Sequence, residues 1–390
     1  MHCCVTSVAW HFQTARLSTM PAVIYFDANE AQKHMRIGID AMGNDHGPAP
    51  IVQGIKAFLE TNHDSTVVMV GDRDRVSQAM IDEGIGLSHR LELVHASQVM
   101  EMEDKVADLR EKRDSSIMRL VGELKEGHID AMVALGNTAA AVGAATIGLK
   151  LIPGVRRPGI AIAMPTRNHK RPCVVIDMGA NTMCKPSHLV NYGIMASIYS
   201  AKVLGLSQPR VGLLNVGEER SKGNEVLREA YELLEQAPLN FIGNVEGGDI
   251  FSGACDVVVC DGFIGNAVLK ASETLSSTMS GWIKEAMLAT WYTKVAAFLL
   301  QGQMLKVKKR LDYAAYGGAP LLGVNGVCLI GHGRSRAAAV ASALRTARES
   351  VSVNVNALIR KDIEKMRQSV RLKAVTTEKP AEEDSGQASA

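Results

Sequence analysis

The chain has 390 residues, 43 basic and 41 acidic side chains, and a net charge of +2. It is long enough for one large domain or two ordinary ones, and no strong overall field favours nucleic acid as a partner. Hydrophobic residues make up 46% and charged residues 22%, which are values of a globular chain. The seven cysteines include no C-x-x-C pair, so neither a zinc knuckle nor a disulfide framework is predicted, and a reducing cytoplasm is expected.

The two ends of the chain differ from its middle. Residues 1–34 have no cationic start and no long apolar stretch, so they make a poor signal peptide and are interpreted as a flexible or non-native extension. Residues 35–371 carry regular apolar patterns and are predicted to form a single domain. Residues 372–390 are polar, which predicts a disordered tail.

Short apolar runs alternate with stretches of helical apolar spacing along the central part. The predicted strands, in chain order, are "RIGIDAM", "TVVMVG", "LELVHA", "DAMVALG", "CVVIDMG", "RVGLLNVG", "DVVVCDG" and "GVCLIGHG". Near-continuous apolar strands that alternate with helices predict an α/β fold whose parallel sheet is covered on both faces.

Six of these strands end in glycine and polar residues, in the loops "DAMGND", "LGNT", "DMGANT", "NVGEE", "CDGFIGN" and "IGHGRS". Ligands of open α/β sheets bind at the carboxyl ends of the strands, and helix N-termini favour anions. The set therefore predicts a broad site for an anionic ligand along one sheet edge. The alternative is that each glycine only serves its own turn.

Four common catalytic or cofactor motifs are missing. The sequence has no G-x-G-x-x-G, no G-x-x-x-x-G-K-[ST], no H-E-x-x-H and no G-x-S-x-G. No cofactor, no metal and no hydrolase nucleophile are therefore predicted.

The stretch "VGLLNVGEERSKGNEVL" places a cation where a strand gives way to a helix. Asn215 and Gly217 lie at the strand end, and Lys222 and Gly223 open the next helix. A lysine beside free helix N–H groups suits phosphate. The two glutamates between them either position a neighbouring cation or form a surface ion pair.

A second amide-bearing turn occurs in "DGFIGNAVLK". Asn266 follows a strand and two glycines, so it either caps the helix or donates to a developing oxyanion. The "GNT" turn at 136–138 offers further donors, and "GHGRS" adds His332 and Ser335.

Eight motifs follow one another across the core: "IDAMGNDHGP", "GNT", "IDMGANTMCKPSHL", "GLLNVGEERSKGNE", "FIGNVEG", "DVVVCDGFIGNAVLK", "YGGAPLLGVNG" and "HGRS". From about Met35 to about Ile359 the chain resembles the phosphate acyltransferases of bacterial phospholipid synthesis, the PlsX family. The resemblance implies a Rossmann-like α/β/α sandwich similar to isopropylmalate dehydrogenases and phosphotransacetylases, and a homodimer.

The implied activity is transfer of a long acyl chain from acyl carrier protein to inorganic phosphate. The acyl phosphate then passes to a membrane glycerol-3-phosphate acyltransferase. The resemblance makes Lys222 and Asn266 the catalytic candidates. Residues implied for the phosphate and acyl-thioester pocket are Asp40, Gly43, Gly136, Asn137, Thr138, Asn181, Asn215, Gly217, Gly223 and His332.

Three positions depart from the family pattern. Asn44, Ala139 and Thr274 stand where glycine is usual. Asn tolerates left-handed backbone angles. Ala139 would be strained if its position required a positive φ.

The segment Gly281–Arg310 combines an apolar helical stripe, made by Met287, Leu288, Trp291, Val295, Phe298 and Leu299, with an excess of basic residues. Charges interrupt it too often for a membrane span. It is expected either to pack in the dimer, to lie on an anionic membrane or to meet the acidic acyl carrier protein. The candidate contact residues are Trp291, Phe298, Leu299, Lys308, Lys309 and Arg310.

Three alternative functions are a phosphotransacetylase using short acyl-CoA, a non-enzymatic membrane scaffold and a decarboxylating dehydrogenase. An apolar acyl channel and the 281–310 segment argue against the first, and the anion-binding loops argue against the second. The third lacks the acidic metal ligands that it needs. We therefore expect a cytoplasmic enzyme that associates peripherally with the membrane.

Overall fold

A computed structural model describes residues 34–168, 171–311 and 318–377. The predicted N-terminal extension, up to residue 33, lies outside the described residues, as does the predicted tail from residue 378 onward. Within the described part, an 11-stranded sheet carries helices on its faces. The predicted α/β sandwich is confirmed.

The strands are β1 (Met35–Asp40), β2 (Ser65–Gly71), β3 (Leu91–His95), β4 (Ala131–Leu135), β5 (Gly159–Met164), β6 (Cys173–Ile176), β7 (Arg210–Leu214), β8 (Asn240–Val245), β9 (Val257–Val259), β10 (Ala319–Leu322) and β11 (Val327–Gly331). All eight predicted strands are present. The three that were not predicted, β5, β8 and β10, are short or carry glycine and proline.

The helices are α1 (Ala49–Leu59), α2 (Arg73–Asp82), α3 (Ser116–Glu126), α4 (Thr138–Leu149), α5 (Pro186–Lys202), α6 (Glu225–Glu235), α7 (Asp249–Ser252), α8 (Gly262–Leu288), α9 (Trp291–Leu311), α10 (Ala337–Ser352) and α11 (Val355–Thr377). A 3₁₀ helix covers Val106–Arg110. Helix α11 continues past residue 371, where the predicted tail begins.

The sheet order is β3-β2-β1-β4-β11-β10-β5-β6-β9-β7-β8. The first five strands are mutually parallel, and so are the last four. Between these blocks, β10 pairs antiparallel with β11 and β5, and β5 pairs antiparallel with β6. Three successive reversals make the two blocks point in opposite directions.

The prediction of a fully parallel sheet with all six loops on one edge is therefore wrong. The loops "DAMGND", "LGNT" and "IGHGRS" follow strands of the first block, whereas "DMGANT", "NVGEE" and "CDGFIGN" follow strands of the second. They lie at opposite edges because the unpredicted strands β5 and β10 reverse the direction between the blocks.

Three apolar clusters form the core. One lies against α1, α2 and α10, and another against α5, α6 and α11. The third extends across both blocks, from Leu120 of α3 and Ala144 of α4 to Leu269 of α8. Helices α4 and α8 therefore share one face of the sheet, with β5 and β10 between the strands that precede them.

The segment 281–310 is not one continuous helix, so its predicted single stripe is wrong. Helix α8 ends at Leu288 and α9 begins at Trp291. Thr290 and Thr293 cap this start reciprocally, because the Thr293 hydroxyl accepts from the Thr290 N–H at 3.0 Å and the Thr290 hydroxyl from the Thr293 N–H at 3.4 Å. Among the described helices, none is both long and apolar enough to cross a bilayer.

Candidate active site

A cavity of about 730 Å³ opens on the face of the sheet that α4 and α8 share. Its lining residues on each helix recur at helical spacing and so form one face of that helix. They are Thr138, Ala139, Val142, Gly143, Thr146 and Ile147 on α4, and Asn266, Leu269, Lys270 and Glu273 on α8. Ile160, Ile162 and Ala163 of β5 contribute as well. The walls are mostly apolar, as in pockets that enclose organic ligands.

The reversal of strand direction lets loops from both sheet edges reach this cavity. Gly136, Thr138 and His332 follow strands of the first block, and Asn181 and Asn266 follow strands of the second, yet all five line it. These predicted site residues are thus brought together across the sheet face rather than along one edge.

At the first-block end, two loops are joined by hydrogen bonds. Asn44 donates its side-chain N–H to the Ser335 carbonyl at 2.7 Å, and the Asp45 N–H donates to the Gly333 carbonyl at 2.8 Å. His332 accepts the Arg334 N–H on Nδ1 at 3.1 Å, which places the proton of the neutral ring on Nε2. The His332 loop is thereby fixed against the "DAMGND" turn.

Asn137 is not among the lining residues. Its side-chain oxygen caps α4 by accepting the Ala140 N–H at 2.9 Å. Its side-chain N–H groups donate to the carbonyls of Glu101 at 3.0 Å and Asp104 at 2.9 Å. Asn137 therefore anchors the neighbouring segment, which supplies Met102 and Val106 to the cavity wall.

At the second-block end, the buried carboxylate of Asp177 organises the backbone. It accepts N–H groups from Ile160 at 3.0 Å, Ala180 at 2.9 Å and Asn181 at 2.7 Å. Burial raises its pKa, and these hydrogen bonds oppose that shift. Because the N–H groups of this turn are already donated to Asp177, they are not available to a ligand.

Asn181 belongs to the same hydrogen-bond network. Its side-chain N–H groups donate to the Pro158 carbonyl at 2.6 Å and approach the Tyr192 hydroxyl at 2.9 Å. Asn181 thus lines the cavity while it joins the start of β5 to the turn that follows β6.

The sequence left open whether Asn266 caps helix α8 or offers its side-chain amide to a ligand. Helix α8 is capped by Asp261, whose carboxylate accepts from the N–H groups of Phe263 and Ile264 at 2.9 and 3.0 Å. Asn266 therefore does not cap the helix, and its side chain has no hydrogen-bond partner within the described residues. A Cβ on Gly179 would lie 3.5 Å from the Asn266 Cβ, so the free amide borders the Asp177 turn.

The loop with Lys222 does not contribute to the lining of the cavity. Lys222 lies 3.8 Å from Glu219 in an exposed ion pair. Asn215 donates its side-chain N–H to the Lys222 carbonyl at 3.2 Å, and Gly217 and Gly223 belong to the same loop. Since β7 and β9 are parallel neighbours, this loop and the start of α8 follow adjacent strands at the same sheet edge.

Asp40 and Gly43 do not line the cavity, but they fix the loop after β1 beside it. A Cβ on Gly43 would fall 1.6 Å from the Leu135 carbonyl oxygen, so only glycine fits between the two loops. The Asp40 carboxylate is buried and accepts the Met42 N–H at 2.9 Å.

The departures from the family pattern are accommodated. Ala139 lies within α4 and is not among the residues with positive φ, so alanine is unstrained there. Asn44 likewise has no positive φ. Thr274 is an exposed position on α8.

Sequence reasoning missed Arg157 and Asp177. Arg157 lines the cavity from the residue before Pro158, in a segment with no strand-end glycine motif. Asp177 was visible as an acid directly after an apolar strand, "VVID", a position that is buried whenever the following turn folds back.

Helices α8 and α9 present many exposed apolar side chains. Trp291, Phe298 and Leu299 are 77%, 77% and 76% exposed. The side chains of Lys308, Lys309 and Arg310 lie outside the described residues. We refer to the exposed apolar side chains of this helix pair from residue 275 onward as the α8–α9 surface; the described members are Leu275, Met279, Trp282, Ile283, Leu288, Trp291, Tyr292, Val295, Phe298, Leu299, Leu300, Leu305 and Val307.

Comparison with known proteins shows the family to which the sequence belongs. A sequence model described as "Fatty acid synthesis protein" matches residues 35–358. The chain is 45% identical over 330 residues to a phosphate acyltransferase of Heliobacterium modesticaldum, covering 84% of this chain and 98% of the relative. It is 44% identical over 331 residues to one of Pelotomaculum thermopropionicum, covering 85% and 95%.

The chain belongs to the phosphate acyltransferase family. It is thus a transferase of lipid synthesis, as the sequence resemblance implied.

Solved structures of phosphotransacetylases share the fold. The enzyme from Streptococcus pyogenes aligns with a TM-score of 0.55 at 17% identity, covering 82% of this chain and 94% of that one. EutD phosphotransacetylase from Staphylococcus aureus aligns with a TM-score of 0.52 at 17% identity, covering 82% and 95%.

We expect Asp40 to make stability depend on pH. Burial raises the pKa of Asp40 to about 6, although hydrogen bonds from Met42, Ser116 and Gly43 oppose the shift. The pKa of Asp40 is therefore higher in the folded protein than in the unfolded chain. Its contribution to stability is fully present below the unfolded-state pKa and is lost as the pH rises through about 6. The free energy of unfolding should fall by about 3 kcal/mol over that range, and Asp40→Asn should remove this part of the dependence. Chemical denaturation of both proteins from pH 4 to 8 measures it, and superimposable pH profiles would contradict the expectation.

Proposed function

We propose that this phosphate acyltransferase transfers a long-chain acyl group from acyl carrier protein to inorganic phosphate, giving acyl phosphate for a membrane glycerol-3-phosphate acyltransferase. The observation that carries the proposal is a largely apolar cavity with the unpaired amide of Asn266 on its wall. Apolar walls suit an acyl chain, and a free donor suits the oxyanion of a thioester under attack.

In the proposed reaction, a phosphate oxygen attacks the thioester carbonyl carbon. A C–O bond forms, the C–S bond breaks, and the carrier thiol leaves with the proton that phosphate releases. Asn266 donates to the oxyanion of the tetrahedral intermediate or to phosphate. This chemistry requires donors and a cation but no redox partner.

Lys222 is proposed to neutralise and orient phosphate. Its loop follows β7, which is the parallel neighbour of the strand that leads into α8. The ion pair with Glu219 is long and exposed, so it holds the ammonium group only weakly.

The first experiment follows acyl phosphate formation from palmitoyl-acyl carrier protein and inorganic phosphate. Wild type should turn over, and Lys222→Ala should lose at least about tenfold in kcat/KM because a charge-assisted contact to phosphate is removed. Lys202→Ala, an exposed lysine at the end of α5, serves as the control and should match wild type. Equal activity of Lys222→Ala would remove Lys222 from the catalytic set but leave the reaction in place.

The fold that the chain shares with phosphotransacetylases makes short-chain transfer from coenzyme A the second candidate. A series of acyl chain lengths on both carriers separates the two functions. Preference for acetyl-coenzyme A over every long-chain carrier thioester would overturn the proposed donor.

Asn266→Ala should lower kcat by ~10²–10³, the usual loss for one oxyanion donor. Folding should be unaffected, because the Asn266 side chain has no partner within the described residues. Thr274→Ala, also exposed on α8, is the matched control. Turnover is measured at saturating substrates, and unfolding curves verify the fold. A near-normal rate for Asn266→Ala would refute its catalytic role.

The α8–α9 surface is proposed to meet an anionic membrane. Its exposed aromatic and aliphatic side chains accompany Lys284, Lys294 and Lys306, a combination typical of interfacial helices. Trp291→Glu combined with Phe298→Glu should weaken binding to vesicles of anionic phospholipid at least about tenfold, since two exposed aromatics lose their insertion. Co-sedimentation with the vesicles is the measurement.

Ile81→Glu is the control for this experiment, because Ile81 is 71% exposed on α2, outside the α8–α9 surface. Sedimentation velocity without lipid shows whether the proposed homodimer persists in the double variant. Loss of the dimer would assign the surface to the partner subunit. An increased KM for acyl carrier protein with unchanged vesicle binding would assign it to the donor.

A further inference from the structure

We propose that Arg157, an exposed residue of the cavity lining, binds the phosphate group of the substrate. The inference rests on the function proposed above and adds a binding residue to it. It starts from the charges that line the cavity within the described residues.

Three lining side chains are able to carry positive charge: Arg157, Lys270 and His332. Lys270 already has a carboxylate partner, because its ammonium group donates to Glu273 at 3.0 Å, and Glu273 is the one acid among the described lining residues. His332 lies at the first-block end, where its Nδ1 is occupied by the Arg334 N–H. Arg157 has neither a hydrogen bond nor an ion pair within the described part of the chain.

An unpaired guanidinium at a cavity wall is available to a ligand. Its planar set of N–H donors matches two oxygens of a phosphate in parallel hydrogen bonds. Arg157 is exposed, so water screens part of the charge attraction, and the paired hydrogen bonds to the phosphate oxygens supply the specificity. Among the described lining residues, no other cation combines these properties.

The backbone beside Arg157 is fixed next to the proposed reaction centre. The Pro158 carbonyl accepts from Asn181 at 2.6 Å, and the Ile160 N–H donates to Asp177 at 3.0 Å. The turn that Asp177 organises borders Asn266, as described above. Arg157 and the free amide of Asn266 therefore lie at the same end of the cavity, so a bound phosphate would lie beside the oxyanion donor.

The charge of Arg157 already acts on this region. The pKa of His188 is lowered, first by burial and then by the nearby positive charges of Arg157, Lys185 and Arg156. His188 itself does not line the cavity, so this shift shows only that Arg157, Lys185 and Arg156 lie close together, a cluster of cations that favours an anion beside Arg157.

Arg156 provides a matched control. It is adjacent in sequence, carries the same charge and is exposed as Arg157 is, but it does not line the cavity. Arg156→Gln and Arg157→Gln change the net charge equally, so a difference between them reports contact rather than the general field.

Initial rates are measured with varied inorganic phosphate at saturating palmitoyl-acyl carrier protein, and then with the roles reversed. Arg157→Gln should raise the KM for phosphate at least about tenfold, the usual loss for a charge-assisted contact, with the KM for the donor changed less than about twofold. The KM of Arg157→Lys for phosphate should lie between those of wild type and Arg157→Gln, because lysine keeps the charge but cannot form the paired hydrogen bonds. Arg156→Gln should match wild type.

Two kinetic outcomes would overturn the assignment. One is an equal rise of the phosphate KM in both glutamine variants, which would indicate bulk electrostatics. The other is a raised KM for the donor with an unchanged phosphate KM, which would mean that Arg157 holds the phosphate group of the carrier's prosthetic arm instead.

Calorimetric titration of each protein with inorganic phosphate alone separates this inference from the proposed function. Binding that Arg157→Gln abolishes and Arg156→Gln retains would support Arg157 even if no acyl donor were turned over. Turnover of palmitoyl-acyl carrier protein with full phosphate binding by Arg157→Gln would retain the function and refute the inference.

Discussion

The buried carboxylate of Asp177 is the interaction on which the cavity depends. It lies directly after β6, is fully inaccessible to solvent, and accepts N–H groups from β5 and from its own turn. An isolated carboxylate in such surroundings would cost many kcal/mol, and several hydrogen bonds make its burial tolerable. The bonds that solvate the charge also fix the start of β5 and the Gly179–Asn181 turn. Helix α8 then packs so closely that a Cβ on Gly265 would fall 1.9 Å from the Asp177 carbonyl oxygen.

Strand direction explains why there is a cavity at all. In a fully parallel sheet, each crossover helix covers the groove between neighbouring strands. Here β10 and β5 run antiparallel to both of their neighbours, and the helices of the two blocks run to either side of them. The sheet face between α4 and α8 is thus left open, with apolar β5 side chains exposed to the cavity. Polar loops reach it from both edges because the blocks point in opposite directions.

These two features mark what could be predicted from the sequence and what could not. Apolar strands and the glycine turns after them depend on local pattern, so β1, β4 and β11 and their loops were all found. β10 was missed because "APLL" has only four residues and includes proline, whereas β5, "GIAIAM", is as long and as apolar as β1 and was overlooked. Neither sequence shows that its strand runs antiparallel to its neighbours. Without them the strand reversal, and therefore the placement of the loops, was out of reach.

For the individual site residues, too, the sequence shows one part of their role and leaves another part open. Asn266 was recognisable as an amide at a strand-to-helix turn, but its availability depends on Asp261, five positions earlier, which occupies the cap instead. Asn137 stood in an equally suggestive motif, yet its amide is fully used to hold the segment at Glu101–Asp104. Local sequence shows which side chains are near a helix start. Which of them remains unpaired depends on the neighbouring cap residue for Asn266 and on tertiary contacts for Asn137.

The cations near the cavity also differ in whether they already have a partner, and this decides which of them is available to bind phosphate. Lys270 is on the wall of the cavity but already pairs with Glu273 at 3.0 Å, and Lys222 lies outside the lining in a longer pair with Glu219 at 3.8 Å. Arg157 alone among the described lining cations is unpaired and beside Asn266. A phosphate that enters an apolar cavity loses water and needs a compensating charge, so the free guanidinium is where its binding costs least. The chemistry proposed here then needs the donor thioester to bring only its carbonyl to that end, while the acyl chain occupies the apolar remainder between α4 and α8.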